Sequence, residues 1–240
     1  MNNLIWHEVE CGGYSADLPL WEELADETDQ PIMELGCGAG RVTLHLAERG
    51  ASLVIGIDSD PDLVAALWER SEGIAGDAEI EDVRSFDLVT QFGLVLAPMQ
   101  LIQLLGSSDE RDACLICVAD NMAAGGRAAF AIVEELPALS EDSAAPPLPD
   151  VRQVEGWIYS SLPLEPVTGS DSIVIRRLRQ TVDPDGEMKD ELNEVELALI
   201  SAETLEAEGE AVGLRPIGRR EIPPTEAHVG STVVLLEKAF

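Results

Sequence analysis

The feature that most constrains this chain is a glycine-rich turn between a short apolar strand and a helix. Pro31-Ile32-Met33-Glu34-Leu35 reads as the strand. Gly36-Cys37-Gly38-Ala39-Gly40 follows, and Arg41 to Arg49 then carries Val42, Leu44, Leu46 and Ala47 at helical spacing before Gly50. Glycines at alternate positions let the backbone turn tightly and come close to a ligand without a Cβ in the way. The helix that follows aims its free N–H groups and positive dipole end at the same place. A dinucleotide fingerprint would have its third glycine one residue later, where Arg41 stands. A phosphate loop would need Gly-Lys-Ser/Thr, which is absent. The spacing therefore disfavours an NAD-binding oxidoreductase. It leaves a different nucleotide-like ligand or a purely structural strand–helix turn.

The rest of the pattern alternates in the same way. A helix covers Leu18 to Glu27, with Leu20, Trp21 and Leu24 on one side. A second strand, Ala51 to Ile57, ends at Asp58. A helix runs from Asp60 to Arg70, with Pro61 in its first turn. A third strand is expected near Ala78 to Glu81, and a fourth, Phe92 to Ala97, is apolar enough to be buried on both faces. Helical turns at Leu101–Leu105 and Glu110–Ala123, a turn over Asn121–Gly126 and a fifth strand, Arg127–Val133, complete the run. Strands alternating with helices predict an α/β fold with a doubly wound, seven-stranded, mostly parallel sheet. After residue 135 the pattern changes. Leu136–Pro149 reads as a loop. Trp157–Ser160, Ser172–Val182 and Val195–Ile200 read as antiparallel strands that interrupt or edge the sheet, with a turn at Asp183-Pro184-Asp185-Gly186. A helix over Ala202–Val212 and strands Arg215–Arg219 and Ser231–Glu237 finish it. The expected units are a helical cap over 1–30, a binding core over 31–135, an insertion over 136–200, and 201–240 completing the core sheet.

Composition excludes some partners. With 46 acidic and 15 basic side chains the net charge is −31, which repels a phosphate-rich polymer and argues against nucleic acid. Arg176-Arg177-Leu178-Arg179 is read as a solvated strand face. No apolar run approaches the ~20 residues of a membrane span, and the N-terminus has no secretory pattern. A cytoplasmic monomer or homodimer with no membrane partner is the expectation. Cys114 and Cys117 form one C-x-x-C without a second pair at zinc spacing, so packing is favoured over a metal or redox role, and no metal is expected.

Glu34-x-Gly36-x-Gly38-x-Gly40 resembles the first motif of the class I S-adenosylmethionine (SAM)-dependent methyltransferases, small-molecule type. The resemblance is close over about residues 14 to 135 and loose elsewhere. It implies SAM as cofactor, S-adenosylhomocysteine (SAH) as product and a transferase of the EC 2.1.1 class. It implies that Gly36 and Gly38 contact the methionine part through their backbone, with Cys37 and Arg41 in the same loop, and that Glu34 holds the ammonium group. It puts Asp58, followed by Ser59, on the ribose, since a carboxylate accepts hydrogen bonds from vicinal hydroxyls. The adenine contact falls to Asp82 with Val83. Asp77 is the alternative, but it leaves too few residues for a preceding turn and strand. Ala97 and Met99 line the methionine side, Met99 being equally readable as core. Tyr14 covers the cofactor or simply packs.

The acceptor is less legible. Methyl transfer needs alignment more than covalent help, so a base is optional and no catalytic residue is assigned. His45 reads as structural, while His7 and His228 read as surface or turn residues able to reach the cleft. Trp157 and Tyr159 share a face that is either an acceptor wall or a packing face. The Asn-Pro-Pro-Tyr type signature of nucleic-acid amino-methylating enzymes is absent; Leu96-Ala97-Pro98-Met99 stands there. A small-molecule O, N or C acceptor is expected. The competing reading is a catalytically silent SAM-binding regulatory or assembly protein.

Overall fold

The computed structural model describes residues 3–134, 148–225 and 228–239. The main sheet has seven strands in the order β10-β11-β5-β4-β1-β2-β3. These are β1 (Ile32–Leu35), β2 (Val54–Asp58), β3 (Gly76–Ile80), β4 (Phe92–Ala97), β5 (Met122–Ile132), β10 (Leu214–Ile222) and β11 (Ser231–Lys238). β1 pairs in parallel with both β2 and β4, and β11 runs antiparallel between β5 and β10. The winding direction reverses between β1 and β4. In doubly wound sheets that reversal opens a crevice at the carboxyl ends of the strands, where ligands bind. The glycine loop leaves β1 at that point.

Helices cover both faces because the strands are apolar on both. All six residues of β4 are buried. On one face α2 (Leu18–Ala25) and α3 (Arg41–Glu48) place Trp21, Leu24, Val42 and Leu46 against Ile32, Leu94 and Leu96. On the other, α5 (Ser108–Asn121) and α6 (Ala202–Ala211) bury Cys114, Leu115, Val118 and Leu205 against Val95, Phe130 and Val234. α5 begins with a capping box in which Ser107 and Glu110 satisfy each other's backbone N–H groups. α4 (Pro61–Arg70) starts at Asp60, whose side chain accepts from Asp62 N. Cys114 and Cys117 are both free thiols on α5.

The antiparallel strands neither interrupt nor edge this sheet. They form a separate four-stranded sheet, β6-β7-β8-β9, comprising β6 (Asp150–Val154), β7 (Trp157–Thr168), β8 (Ser172–Val182) and β9 (Met188–Ala198). Most of the loop expected over 136–149 lies outside the described residues. A first helix that periodicity did not reveal, α1 (Asn3–Glu10), packs between α4 and the second sheet. Only part of the arginine run is a solvated face: Arg176 pairs with the exposed Glu194, while Arg177 and Arg179 are covered. Arg179 pairs with Glu10 of α1 at 2.7 Å, and Arg177 binds Asp150 and Ser161. β5 also begins earlier than its glycines suggest. Its first residues bridge to β4 across a register shift, and a Cβ on Gly126 would lie 2.9 Å from the carbonyl oxygens of Phe92 and Ala123.

One buried amide joins the two sheets. Gln103, in the 3-10 turn Leu101–Leu104, donates from Nε2 to Val133 O (3.0 Å) and Ala198 O (2.9 Å) and accepts from Val133 N (2.7 Å). Gln103→Leu strands these three backbone groups in a dry site. It is expected to cost about 2–4 kcal/mol of unfolding free energy, and a urea midpoint equal to wild type would contradict this.

Candidate functional site

The loop after β1 takes left-handed backbone at Gly36 (φ 64°) and Gly38 (φ 54°), which side chains other than glycine avoid. Both are also closely covered. A Cβ on Gly36 would lie 2.6 Å from Leu101 Cδ1, and one on Gly38 would run into the His7 ring. Gly38 N donates to Asp58 Oδ2 at 2.9 Å, so the end of β2 is tied to the loop after β1. Asp58 Oδ1 accepts from Asp60 N at 2.9 Å. Each carboxylate oxygen keeps a second lone pair for a ligand hydroxyl. Ser59, next in the chain, is exposed.

Glu34 is buried, and its Oε2 accepts from Thr43 N (2.7 Å) and Thr43 Oγ1 (2.6 Å). Burial pushes its carboxyl up to about 7, opposed by the Thr43 hydrogen bonds and by Arg41. A cationic group bound beside it would favour the charged form. Cys37 is buried beside Val64, Leu67 and Ala78, and burial raises its thiol well above the ordinary range.

The two candidate acids near β3 separate cleanly. Asp77 pairs across from Ile55 inside β3, toward its amino end, while Ile80 pairs with Asp58 at the carboxyl end. Asp82 follows that end, on the same side of the sheet as Asp58. Arg84 grips it through Nε and Nη2, at 2.9 and 2.6 Å, and holds its carboxyl down at about 2. Arg84 also reaches Glu110 at 2.6 Å, and Val83 packs against the core.

Beyond β4, Ala97 is buried and the next turn is unusual. Met99 (φ 50°) and Gln100 (φ 61°) are consecutive non-glycine residues in the left-handed region. Such strain persists only where the surroundings hold it. Gln100 Nε2 donates to Ser231 Oγ at 3.0 Å, linking this turn to the start of β11.

The N-terminal segment closes one side of the loop. Asp17 is almost fully buried. Both its oxygens bind Arg41 at 2.7 Å, and it also accepts from Trp21 Nε1 at 2.8 Å. Arg41 further donates to Tyr14 O at 3.0 Å and stands over the Tyr14 ring, 5.2 Å from its centroid. Arg41 thus directs its guanidinium at the N-terminal segment. His45 pairs with Glu22 of α2 at 2.6 Å, which ties α3 to α2. α1 lays His7 on Gly38. Its Nδ1 is buried without a hydrogen-bond partner, and burial lowers its pKa. Sequence reasoning missed α1 because an eight-residue helix with two buried positions carries little periodicity. Trp157 and Tyr159 stack 6.4 Å apart, with Tyr159 edge-on to Trp6, and they line a groove of about 460 Å³ at the far end of the second sheet. No cluster of His, Cys, Asp and Glu fit for a metal, and no helix long and apolar enough to cross a membrane, occurs among the described residues.

Comparison with known proteins agrees with this geometry. Residues 32–126 match a family described as "Methyltransferase domain". Among solved structures, a sugar N-methyltransferase from Streptoalloteichus superposes with a TM-score of 0.77 at 17% identity, covering 100% of this chain and 93% of that one. An amino pentose methyltransferase from Micromonospora echinaspora gives 0.70 at 18% identity, covering 95% and 93%. The ribosomal protein L11 methyltransferase of Aeromonas salmonicida is 34% identical over 62 residues, 25% of this chain. The chain thus spans about 21% of the length of that curated relative. The fold is that of the class I SAM-dependent methyltransferases, and residues 32–126 are the part similar to the methyltransferase-domain family.

Glu34 yields a pH prediction. Its folded pKa lies above the ordinary 4.5, so the native state binds the extra proton. The stability this adds is full below pH 4.5 and is lost as pH rises toward 7. In urea unfolding, wild type should lose on the order of 2–3 kcal/mol relative to Glu34→Gln between pH 4.5 and 8. Parallel pH profiles for the two proteins would contradict it.

Proposed function

We propose that the chain binds SAM across the carboxyl ends of β1, β2 and β3 and transfers its methyl group to a small-molecule nitrogen, oxygen or carbon. The observation that carries this reading is the placement of three carboxylates. Glu34, Asp58 and Asp82 belong to the ends of three adjacent parallel strands, around a loop in which Gly36, Gly38 and Gly40 carry no Cβ. A ligand with an ammonium tail, a ribose and an adenine matches that order.

When bound, the cofactor supplies an electrophilic methyl group on a positively charged sulfur. The protein's part is binding and alignment. Glu34 opposes the ammonium charge, and the cation in turn favours its ionisation. Asp58 accepts from ribose hydroxyls while holding the loop through Gly38 N. Asp82, kept ionised by Arg84, and the Val83 N–H face the adenine edge. Ala97 and Met99 border the methionine side, and Tyr14 closes the outer wall.

Support for a small acceptor comes from the names of the neighbours, a sugar N-methyltransferase and an amino pentose methyltransferase. The net charge of −31 points the same way, since it repels polyanions. The L11 relatives act on a protein by name, but the likeness there covers only a quarter of this chain.

Calorimetric titration with SAM should show Asp58→Ala binding about 10- to 150-fold more weakly, the worth of ~1.5–3 kcal/mol of charge-assisted hydrogen bonds. Equal affinity would remove Asp58 from the site. Methyl release from labelled SAM over a panel of amino sugars, hydroxylated sugars and simple amines tests the transferase reading.

A further inference from the structure

One imidazole has no task in this account. His228 lies in the connection from β10 to β11, which rejoins the main sheet at the carboxyl end of β5, where Thr232 pairs with Ile132. The neighbouring Ser231 takes the hydrogen bond from Gln100 in the strained turn after β4. His228 therefore sits on the same rim as Ala97 and Met99, on the side away from Asp58 and Asp82. Its ring packs on Tyr14, with centroids 4.5 Å apart and planes 36° inclined. Arg41, the first residue after the glycine loop, stands over the same Tyr14 ring. One aromatic ring thus separates the imidazole from the loop. The hydrogen bonds between His228 and Thr225 run through the His228 backbone, leaving both ring nitrogens open among the described residues.

We propose that His228 takes the proton that the acceptor loses on methylation. This rests on the transferase reading above. In the step, a lone pair on the acceptor nitrogen or oxygen bonds to the methyl carbon. The carbon–sulfur bond breaks, its electron pair staying on sulfur. The proton leaves the acceptor for an imidazole nitrogen and then passes to solvent.

The surroundings suit that role. Burial holds the imidazole below its ordinary 6.5, so at neutral pH it is the free base. Four charged groups act on it electrostatically: Asp150 of β6, Arg177 of β8, Arg41 of α3 and Asp17 before α2. The two acids favour the imidazolium once it forms, and the two arginines discourage a standing charge. Half-buried rings with open nitrogens, held as the free base, are what proton acceptance requires. His7 is the contrasting case: it lies directly on Gly38, on the cofactor side, with its Nδ1 sealed from solvent.

The test uses His228→Asn and His228→Gln in the full chain, assayed on the panel compound that wild type methylates fastest. SAH affinity, read by calorimetry, should stay within about twofold. The value of kcat should fall by about 10²- to 10⁴-fold, and the rise of kcat with pH from a group below 6.5 should vanish. Added imidazole should restore part of the rate to His228→Ala. Variants that keep both the rate and the pH limb overturn the proposal. So do variants that lose SAH affinity in step with rate, which marks a packing role. Wild type that binds SAH yet methylates no panel compound counts against it together with the transferase reading. Wild type that fails to bind SAH contradicts the cofactor assignment itself.

Discussion

The hydrogen bond from Gly38 N to Asp58 ties together two loops that the strands alone would leave separate. Parallel pairing brings β1 and β2 side by side, but it does not dictate the path of the chain beyond them. The Asp58 carboxylate does so, by reaching back to the second glycine of the preceding loop. Gly36 and Gly38 are left-handed, and the turn they make lets Cys37 N donate to Ile57 O (3.0 Å) and Gly38 N to Asp58. The helix that follows then starts with its positive end directed at the crevice. The crevice at the β1/β4 reversal is thus framed by a helix start and acidic side chains, a setting for a cation that also carries hydroxyl groups.

A second set of contacts holds the walls. Asp17, Arg41, Trp21 and Tyr14 bind the N-terminal segment to α3 through a buried ion pair, one side-chain-to-side-chain hydrogen bond, one hydrogen bond from Arg41 to the Tyr14 carbonyl and a ring contact. α1 bridges further out. Glu8 joins Arg70 of α4 (2.6 Å) to Arg152 of β6 (2.5 Å), and Glu10 holds Arg179 of β8. In a chain with three acids for each base, the arginines are spent on fixing how α1, the glycine loop and the second sheet meet. The site depends on that arrangement, since His7, Tyr14 and His228 all come from elements outside the parallel sheet.

What the sequence made legible follows the strength of local signals. Apolar strands flanked by glycine or proline, such as β4, and the helix after the glycine loop were readable to within a residue or two. Spacing, together with the family resemblance, favoured Asp82 over Asp77 without deciding between them; in the fold Asp77 lies inside β3, with Ile80 at its carboxyl end. Three things were not readable. α1 is too short to show a period. The second sheet is a sheet of its own, and its exposed and charged strands look like edge strands locally. The role of Arg177 and Arg179 depends on Glu10 and Asp150, which lie far from them in sequence and meet them only in the fold. His228 is the same kind of case: nothing near it in sequence points to Tyr14.

The most direct test of the central claim is a crystal structure of the chain with SAH. The account predicts the ribose hydroxyls on Asp58, the adenine beside Asp82 and Val83, the amino group toward Glu34, and the sulfur between Gly36 and Met99. SAH bound elsewhere, or an adenine lying at Asp77 with Asp58 free of the ribose, would contradict it.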